Sequence, residues 1–414
     1  MSNVDLEADR AKAVAMPLAD YNVADPILFE RDTVGFYFAR LRREEPVHYC
    51  PKSRFGAYWS VTKYRDIMHV DTNHKIFSSE LKNGGPTLID GRESFERARF
   101  MAMDPPKHGV QRKAVTPVLE PPNIARMEVI IRKRIGELLD DLPRGREVDW
   151  VDRVSIEITT QTLATMFDFP WEERRKLTRW SNVAMAIPES GIVADEASRE
   201  AELIECYQYF KGLWDERIKQ PVKNDFVSLM AHSPDMRDMP PMEYLGNVIL
   251  LIVGGNDTTR NSMTAGVYAL NKFPAEYAKL KANPALIPNM VSEIIRWQTP
   301  LAHMRRTAVV DTELGGKQIR KGDRVVMWYL SGNRDEEVIE RPDDLWIERP
   351  NARQHLSFGF GIHRCLGNRL AEMQLRVLWE EIMRRGMTVT VTGEPKRTHS
   401  NFVHGYETLP VEVH

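Results

Sequence analysis

The chain has 414 residues, with 57 Lys and Arg against 59 Asp and Glu and a formal net charge of −2. That length can enclose a large cofactor in one domain, and the balanced charge argues against a polyanion or a membrane surface as the partner. The longest apolar run, Val248–Val253, has six residues against the roughly 18 of a membrane-spanning helix, and the three cysteines, Cys50, Cys206 and Cys365, are too scattered for a disulfide framework. Met1–Lys12 is polar with alternating charges and lacks the apolar stretch of a signal peptide, so a reducing, cytoplasmic setting is expected.

Residues 1–30 read as a mobile start, followed by one domain over 31–414. Val34, Tyr37, Phe38 and Leu41 recur at helical spacing until Pro46 stops the pattern. Strand patterns follow at Val47–Tyr49 and Ala57–Val61, with Lys52–Gly56 as the turn. Ser78–Phe95 has little periodicity, contains Asn83-Gly84-Gly85-Pro86, and reads as a loop of the kind that serves as a lid. Asp104-Pro105-Pro106 opens a helix, since proline is tolerated in a first turn. On it His108 and Arg112 are four apart and share a face; such a pair is commonly a solvated surface, but it is also what a buried carboxylate needs. Helical patterns continue over Ile124–Leu142, Val151–Met166, Trp171–Val183 and Ala197–Ile218, with a break at Ile187–Gly191.

Met242 to about Asn271 reads as one helix, which at roughly 1.5 Å per residue crosses much of the molecule. Its middle, Gly254 to Thr259, combines helix-weakening glycines with polar groups that must find partners if buried. Thr258 is expected to bond back to the Gly254 carbonyl and open the helix locally; a purely structural polar kink is the alternative. Glu293 and Arg296 stand one turn apart, a pair that also occurs on ordinary solvated helices. Arg324–Leu330 is strand-like, and Met387–Val413 alternates enough to suggest a small sheet with Asn401–His404 at a turn.

His355–Leu370, H-L-S-F-G-F-G-I-H-R-C-L-G-N-R-L, surrounds the third cysteine. Gly359 and Gly361 let the backbone fold back ahead of Cys365, and Gly367 lets amides approach the sulfur. Leu370, Met373, Leu375, Val377 and Leu378 mark a helix whose start lies near the sulfur and favours an anion, the state in which a cysteine binds metal. The plain alternative is a small buried hydrophobe.

In chain order, D-P-P-x-H-x-x-x-R at 104–112, G-G-x-D-T-T at 254–259, E-x-x-R at 293–296 with Arg349 in Glu348-Arg349-Pro350, and F-x-x-G-x-H-x-C-x-G at 358–367 resemble the motifs of the cytochrome P-450 superfamily. The resemblance spans about Asp32 to the end. It implies a mainly α fold with small β-sheets, a triangular prism of helices with a β-rich side. It implies a haem b whose iron takes Cys365 as axial ligand, in a loop shaped by Phe358, Gly361 and Gly367. The propionates would be bound by His108, Arg112, His363 and Arg306, with Arg305 as the fallback for the last. Asp257 and Thr258 would be the catalytic acid and alcohol that deliver protons during oxygen activation, and Glu293, Arg296 and Arg349 a buried structural network. The break at 187–191 would roof the substrate pocket.

The implied reaction is hydroxylation of an unactivated C–H bond by O2. Without flavin or iron–sulfur motifs of its own, the chain would take electrons from a 2Fe-2S ferredoxin and its NAD(P)H-dependent reductase. Arg112, Lys113, Arg364 and Arg369 are a candidate docking patch, with ordinary solvated charge as the alternative. Met101–His108 and Leu251–Met263 are most similar to the bacterial alkane-hydroxylating branch, which implies attack on the terminal methyl of a medium-chain alkane, fatty acid or similar apolar molecule by a monomer. Candidate pocket walls are Leu250, Val253, Gly254, Leu301, Met304, Phe402 and Val403. A terpene or steroid is the alternative substrate. A haem-thiolate gas sensor is the alternative from another class, but it would not need Asp257 and Thr258, and a peroxide-using hydroxylase commonly departs from that pair.

Overall fold

Apolar residues at helical spacing dominate the chain, and the computed structural model, which describes residues 6–88, 97–186 and 191–414, is built mainly of helices. First come α1 (Leu6–Ala15), α2 (Pro26–Glu30), α3 (Val34–Glu44), β1 (Val47–Cys50), β2 (Tyr58–Val61), α4 (Tyr64–Thr72) and β3 (Phe77–Ser78). Then α5 (Lys107–Val115) and α6 (Pro121–Asp140) lead through β4 (Glu147–Asp149) and a π-helical stretch, Val151–Ile156, into α7 (Glu157–Phe167). The helices α8 (Arg175–Met185), α9 (Glu196–Arg217) and α10 (Phe226–His232) precede the 32-residue α11 (Pro241–Lys272). After α12 (Pro274–Ala282) and α13 (Ile287–Gln298) come β5 (Met304–Ala308), β6 (Thr312–Leu314), β7 (Lys317–Ile319), β8 (Arg324–Met327) and α14 (Tyr329–Gly332). The chain closes with α15 (Asn368–Arg384), β9 (Val389–Val391), β10 (Lys396–Arg397), β11 (Tyr406–Thr408) and β12 (Pro410–Val413).

The helix α11 packs against α7, α8, α9, α13 and α15, so it threads the apolar core that holds Trp150, Trp180 and Trp379. The strands form one sheet in the order β1-β2-β8-β5-β3, a second in the order β4-β12-β9, and two hairpins, β6-β7 and β10-β11. Among the described residues no helix is long and apolar enough to cross a membrane. The expected loop at Ser78–Phe95 is described only to Leu88, and of the expected break at 187–191 only Gly191 is described.

Two expectations are corrected. From Leu6 onward the segment expected to be mobile is folded, because it carries enough apolar surface to offset its ordering: Tyr21, Val23, Ala24 and Phe29 are buried in a cluster with Phe38 and Trp328. Arg40 also donates to the carbonyls of Ala13, Val14 and Met16. The strand expected to reach Leu330 stops at Met327, because the Trp328 carbonyl accepts from the amides of Ser331 and Gly332, both at 3.0 Å, and starts a helical turn.

The structural network is complete. Glu293 is fully buried and accepts Arg296 Nε and Nη2, each at 2.8 Å, and Arg349 Nε at 2.8 Å. Its Oε1 also accepts the Trp346 amide at 3.0 Å, while Arg296 donates to the carbonyls of Asn333 and Asp344, both at 2.9 Å. Two guanidiniums thus share one buried carboxylate and several backbone carbonyls, and α13 is tied to the chain leading to the cysteine loop. Removing one partner of a buried ion pair costs about 3–5 kcal/mol, so Glu293→Ala, which leaves two guanidiniums without their carboxylate, is expected to lower unfolding free energy by that amount in denaturant titration.

Candidate functional site

A cavity is bordered by α11, β5, α5 and the loop before α15. Its lining is mostly apolar with a few convergent polar groups, the make-up of a ligand site. Cys365 lines this cavity and its surface opens into it while the surrounding protein encloses it, whereas Cys50 and Cys206 are packed in the core, which argues against the small-hydrophobe reading of Cys365.

Local chemistry explains the loop. The Cys365 amide donates to the Phe358 carbonyl at 2.8 Å, and the Gly359 amide to the Leu356 carbonyl at 2.7 Å. Gly361 has φ +66°, and a Cβ there would lie 2.6 Å from the Asp71 carbonyl, so only glycine fits. A Cβ on Gly367 would meet nothing within 4 Å; this glycine borders the cavity and presents its amide to the sulfur. Burial pushes the Cys365 thiol up, while the amides of Gly367 and Asn368 and the guanidiniums of Arg112 and Arg364 pull it down. A cation facing the sulfur is what would complete the conversion to thiolate. Asn333 anchors the loop from outside, accepting the Leu356 amide at 2.7 Å and donating to Ser357 Oγ at 2.9 Å.

His108, Arg112, Arg306 and His363 all border the cavity. The rings of His108 and His363 are 4.2 Å apart. His108 Nε2 and both ring nitrogens of His363 are buried without a hydrogen-bond partner among the described residues. Burial first, and the neighbouring Arg112 next, lower the His108 pKa to about 4; burial, then Arg306, lowers that of His363. Arg112 Nη2 donates to the Arg364 carbonyl at 2.6 Å, and Arg306 Nη2 to Asp71 Oδ1 at 2.7 Å. Strand alternation in β5 turns Arg305 away from the cavity, towards the Asn83 carbonyl at 3.4 Å, so Arg306 is the arginine at the cavity. Orphaned imidazole nitrogens and arginines on one cavity wall ask for anionic acceptors, and a haem with two carboxylates and an iron facing Cys365 fits that donor set.

Thr258 is half-buried on the cavity, and its Oγ1 donates to the Gly254 carbonyl at 3.0 Å, as expected. The expected opening does not break the helix, which is continuous from Pro241 to Lys272. Asp257 is buried and pairs with Arg260 Nη2 at 2.9 Å, with Asn256 Nδ2 at 3.2 Å; Arg260 in turn donates to Asn182 Oδ1 of α8 at 3.0 Å. Burial raises the Asp257 pKa, against the pull of Arg260 and Ser181. Leu250, Val253, Gly254, Leu301, Met304, Phe402 and Val403 all border the cavity, together with Met101 and Met185, which periodicity did not single out.

Asp71 is the main residue that motif reading missed. Its buried carboxylate accepts Arg306, the Tyr329 hydroxyl at 2.9 Å and the Phe360 amide at 2.7 Å, joining β5, α14 and the cysteine loop through α4. The available signal was a lone acid on the apolar face of α4 beside Tyr64, Ile67 and Val70. Hydrogen bonds to charged groups contribute about 1.5–3 kcal/mol, so Asp71→Asn is expected to lower stability by about 2 kcal/mol in denaturant titration.

The family model described as Cytochrome P450 matches residues 199–401. Linalool 8-monooxygenase of Pseudomonas putida is 34% identical over 400 residues, covering 94% of this chain and 98% of that one. A methyl-branched lipid omega-hydroxylase of Mycobacterium tuberculosis is 31% identical over 413 residues, 96% of this chain and 95% of that one. Among solved structures, Cytochrome P450-153 from Novosphingobium aromaticivorans is 46% identical with TM-score 0.89, covering 95% of this chain and 99% of that one. CYP153D17 from a Sphingomonas species is 51% identical with TM-score 0.90, covering 95% and 98%. Because the likeness runs the length of both chains and includes the cysteine loop and the cavity it serves, this chain belongs to the cytochrome P450 family and is a monooxygenase that uses haem b.

Proposed function

We propose that the chain hydroxylates the terminal methyl group of a medium-chain alkane, fatty acid or similar apolar molecule, with electrons from a 2Fe-2S ferredoxin and its reductase. The observation that carries this reading is the composition of one wall: Leu250, Val253, Leu301, Met304, Phe402 and Val403 border the same cavity as Cys365 and Thr258. An apolar chain can lose its contact with water there while one end approaches the haem. A chain-end C–H bond is stronger than an internal one, so regioselectivity depends on walls that admit only the terminus.

A haem held by Cys365 would supply the chemistry of O2 activation, in which one oxygen atom of O2 enters the C–H bond and the other leaves as water, using two electrons from the ferredoxin and two protons. In this reading Cys365 would hold the iron, and His108, Arg112, Arg306 and His363 would hold the propionates. Thr258, oriented by its bond to the Gly254 carbonyl, relays protons at the cavity surface. Asp257 stands behind it as the acid; burial favours its protonated form, and the Arg260 pair has to open before it can exchange a proton with Thr258. Lys113, Arg364 and Arg369 are exposed and would receive an acidic ferredoxin on the cysteine side, whereas Arg112 is half-buried and serves the cavity. Terpene hydroxylation is the second reading, favoured by the similarity to a linalool 8-monooxygenase.

The test is a titration of the holoenzyme with linear alkanes and fatty acids, acyclic terpenes and steroids, followed by the haem spin-state shift and by product analysis. Tightest binding of a linear chain, with the hydroxyl on its terminal carbon, is expected; preference for a terpene or steroid, or an internal hydroxyl, would overturn the reading. Proton delivery by a positioned group contributes about 10²–10⁴-fold, so Thr258→Ala is expected to cut product formed per NAD(P)H by at least about tenfold and to raise peroxide release. Unchanged coupling would remove Thr258 from the relay.

A further inference from the structure

The cavity wall Phe402–Val403 sits on the loop between β10 and β11, and the two sides of that loop are held differently. Its inner side is fixed by the core. Gln298 Nε2 donates to the His404 carbonyl at 2.6 Å, the Tyr406 amide to Asn261 Oδ1 at 2.9 Å, and the Ala302 amide to the Phe402 carbonyl at 2.9 Å. Its outer side is held by the N-terminal segment. Asn401 Nδ2 donates to the Ala24 carbonyl at 2.6 Å, His399 pairs with Glu30, and Asp32 meets Arg397 Nη2 at 2.7 Å and His404 Nε2 at 3.5 Å.

Asp32 is the decisive member of this outer clasp. Its side chain is 44% exposed, and an ion pair between two such side chains would contribute little. Its partner, however, is buried: the Arg397 guanidinium lies 4.4 Å from the Tyr406 ring centroid and 5.4 Å from that of Tyr268, and Asp32 is the carboxylate that pairs with it among the described residues. A buried cation that loses its counter-charge is left uncompensated, a cost that a shift of its side chain and backbone towards water would relieve. Asp32 itself is held in a left-handed conformation, φ +57°, between α2 and α3, which aspartate tolerates better than most residues. Here the backbone it moves is the start of the loop that ends in Phe402 and Val403.

We infer that Asp32 is a positioning residue for the substrate wall: through Arg397 and His404 it sets where Phe402 and Val403 stand in the cavity, and so how firmly the part of a ligand away from the iron is gripped. This rests on the cavity being the haem chamber and not on which substrate it takes.

The test uses N-methylimidazole and N-dodecylimidazole, whose ring nitrogen binds the haem iron while their tails differ, titrated into wild-type and Asp32→Asn holoenzyme and read by the Soret shift. Affinity for the long-tailed azole is expected to fall at least about fivefold, and for the short one to change less than about twofold. Arg397→Gln is expected to reproduce the tail-selective loss, and the double variant to lose no more than Asp32→Asn alone, since Arg397 acts through its contact with Asp32. Parallel weakening of both azoles, no weakening, or additive losses would overturn the inference. As a second measurement, amide hydrogen exchange over 398–405 is expected to quicken at least about fivefold in Asp32→Asn with α11 unchanged; equal exchange in both proteins would also overturn it. Because azoles bind iron whatever the natural substrate, failure here leaves the terminal-hydroxylation reading standing, and the reverse holds as well.

Discussion

The demand that one sulfur be presented to an enclosed cavity with amide groups at its back governs much of this structure. Desolvation works against a thiolate, so the loop has to offset it with oriented N–H groups from Gly367 and Asn368, and with Arg112 and Arg364 close by. Such a loop contributes only if it is rigid. It is held from α4 by Asp71, from the end of α14 by Asn333 and from α13 through Ser357 Oγ, which donates to the Ile295 carbonyl at 2.9 Å. The Glu293–Arg296–Arg349 network in turn fixes α13. Residues far from the reacting atoms are therefore part of the site's geometry.

A second constraint comes from placing polar groups inside α11. Asn256 accepts Thr159 Oγ1 at 2.8 Å and donates to Asp257, which Arg260 neutralises. Arg260 reaches Asn182, so the acid is tied to α8 as well as to its own helix. Asn256, Asp257 and Arg260 thus each have a partner, and α11 stays continuous through Gly254 and Gly255. The arginine one turn away offsets only part of the cost of burying this carboxylate, since burial still raises its pKa, and Thr258 is left at the cavity surface.

The apolar lining of the cavity is assembled from parts of the chain that are remote in sequence. Leu250 and Val253 come from α11, Leu301 and Met304 from the approach to and start of β5, and Phe402 and Val403 from the last hairpin, which is clasped by the N-terminal segment. An isolated bridge between Leu301 and Val403 closes the two latter parts against each other. In the proposed reading, haem ligation and proton handling would thus rest on the helical core, while the wall proposed to meet the substrate rests partly on contacts with the N-terminal segment.

What the sequence alone determined were the features carried within one element or one short loop. The Gly-framed cysteine stretch, the Thr258-to-Gly254 bond, the Glu293–Arg296 pair and the shared face of His108 and Arg112 all follow from fixed helical or turn spacing, which needs no knowledge of the fold. Tertiary structure alone decided the pairs that join distant segments: Asp71 with Arg306, 235 residues apart, and Asp32 with Arg397, 365 apart. It also decided between Arg305 and Arg306, since alternation says that they face opposite ways but only the packing of β5 says which side is the cavity. The folding of the N-terminal segment belongs with these, because its apolar residues have no periodic pattern of their own and are buried only once Phe38 and Trp328 provide a surface to cover.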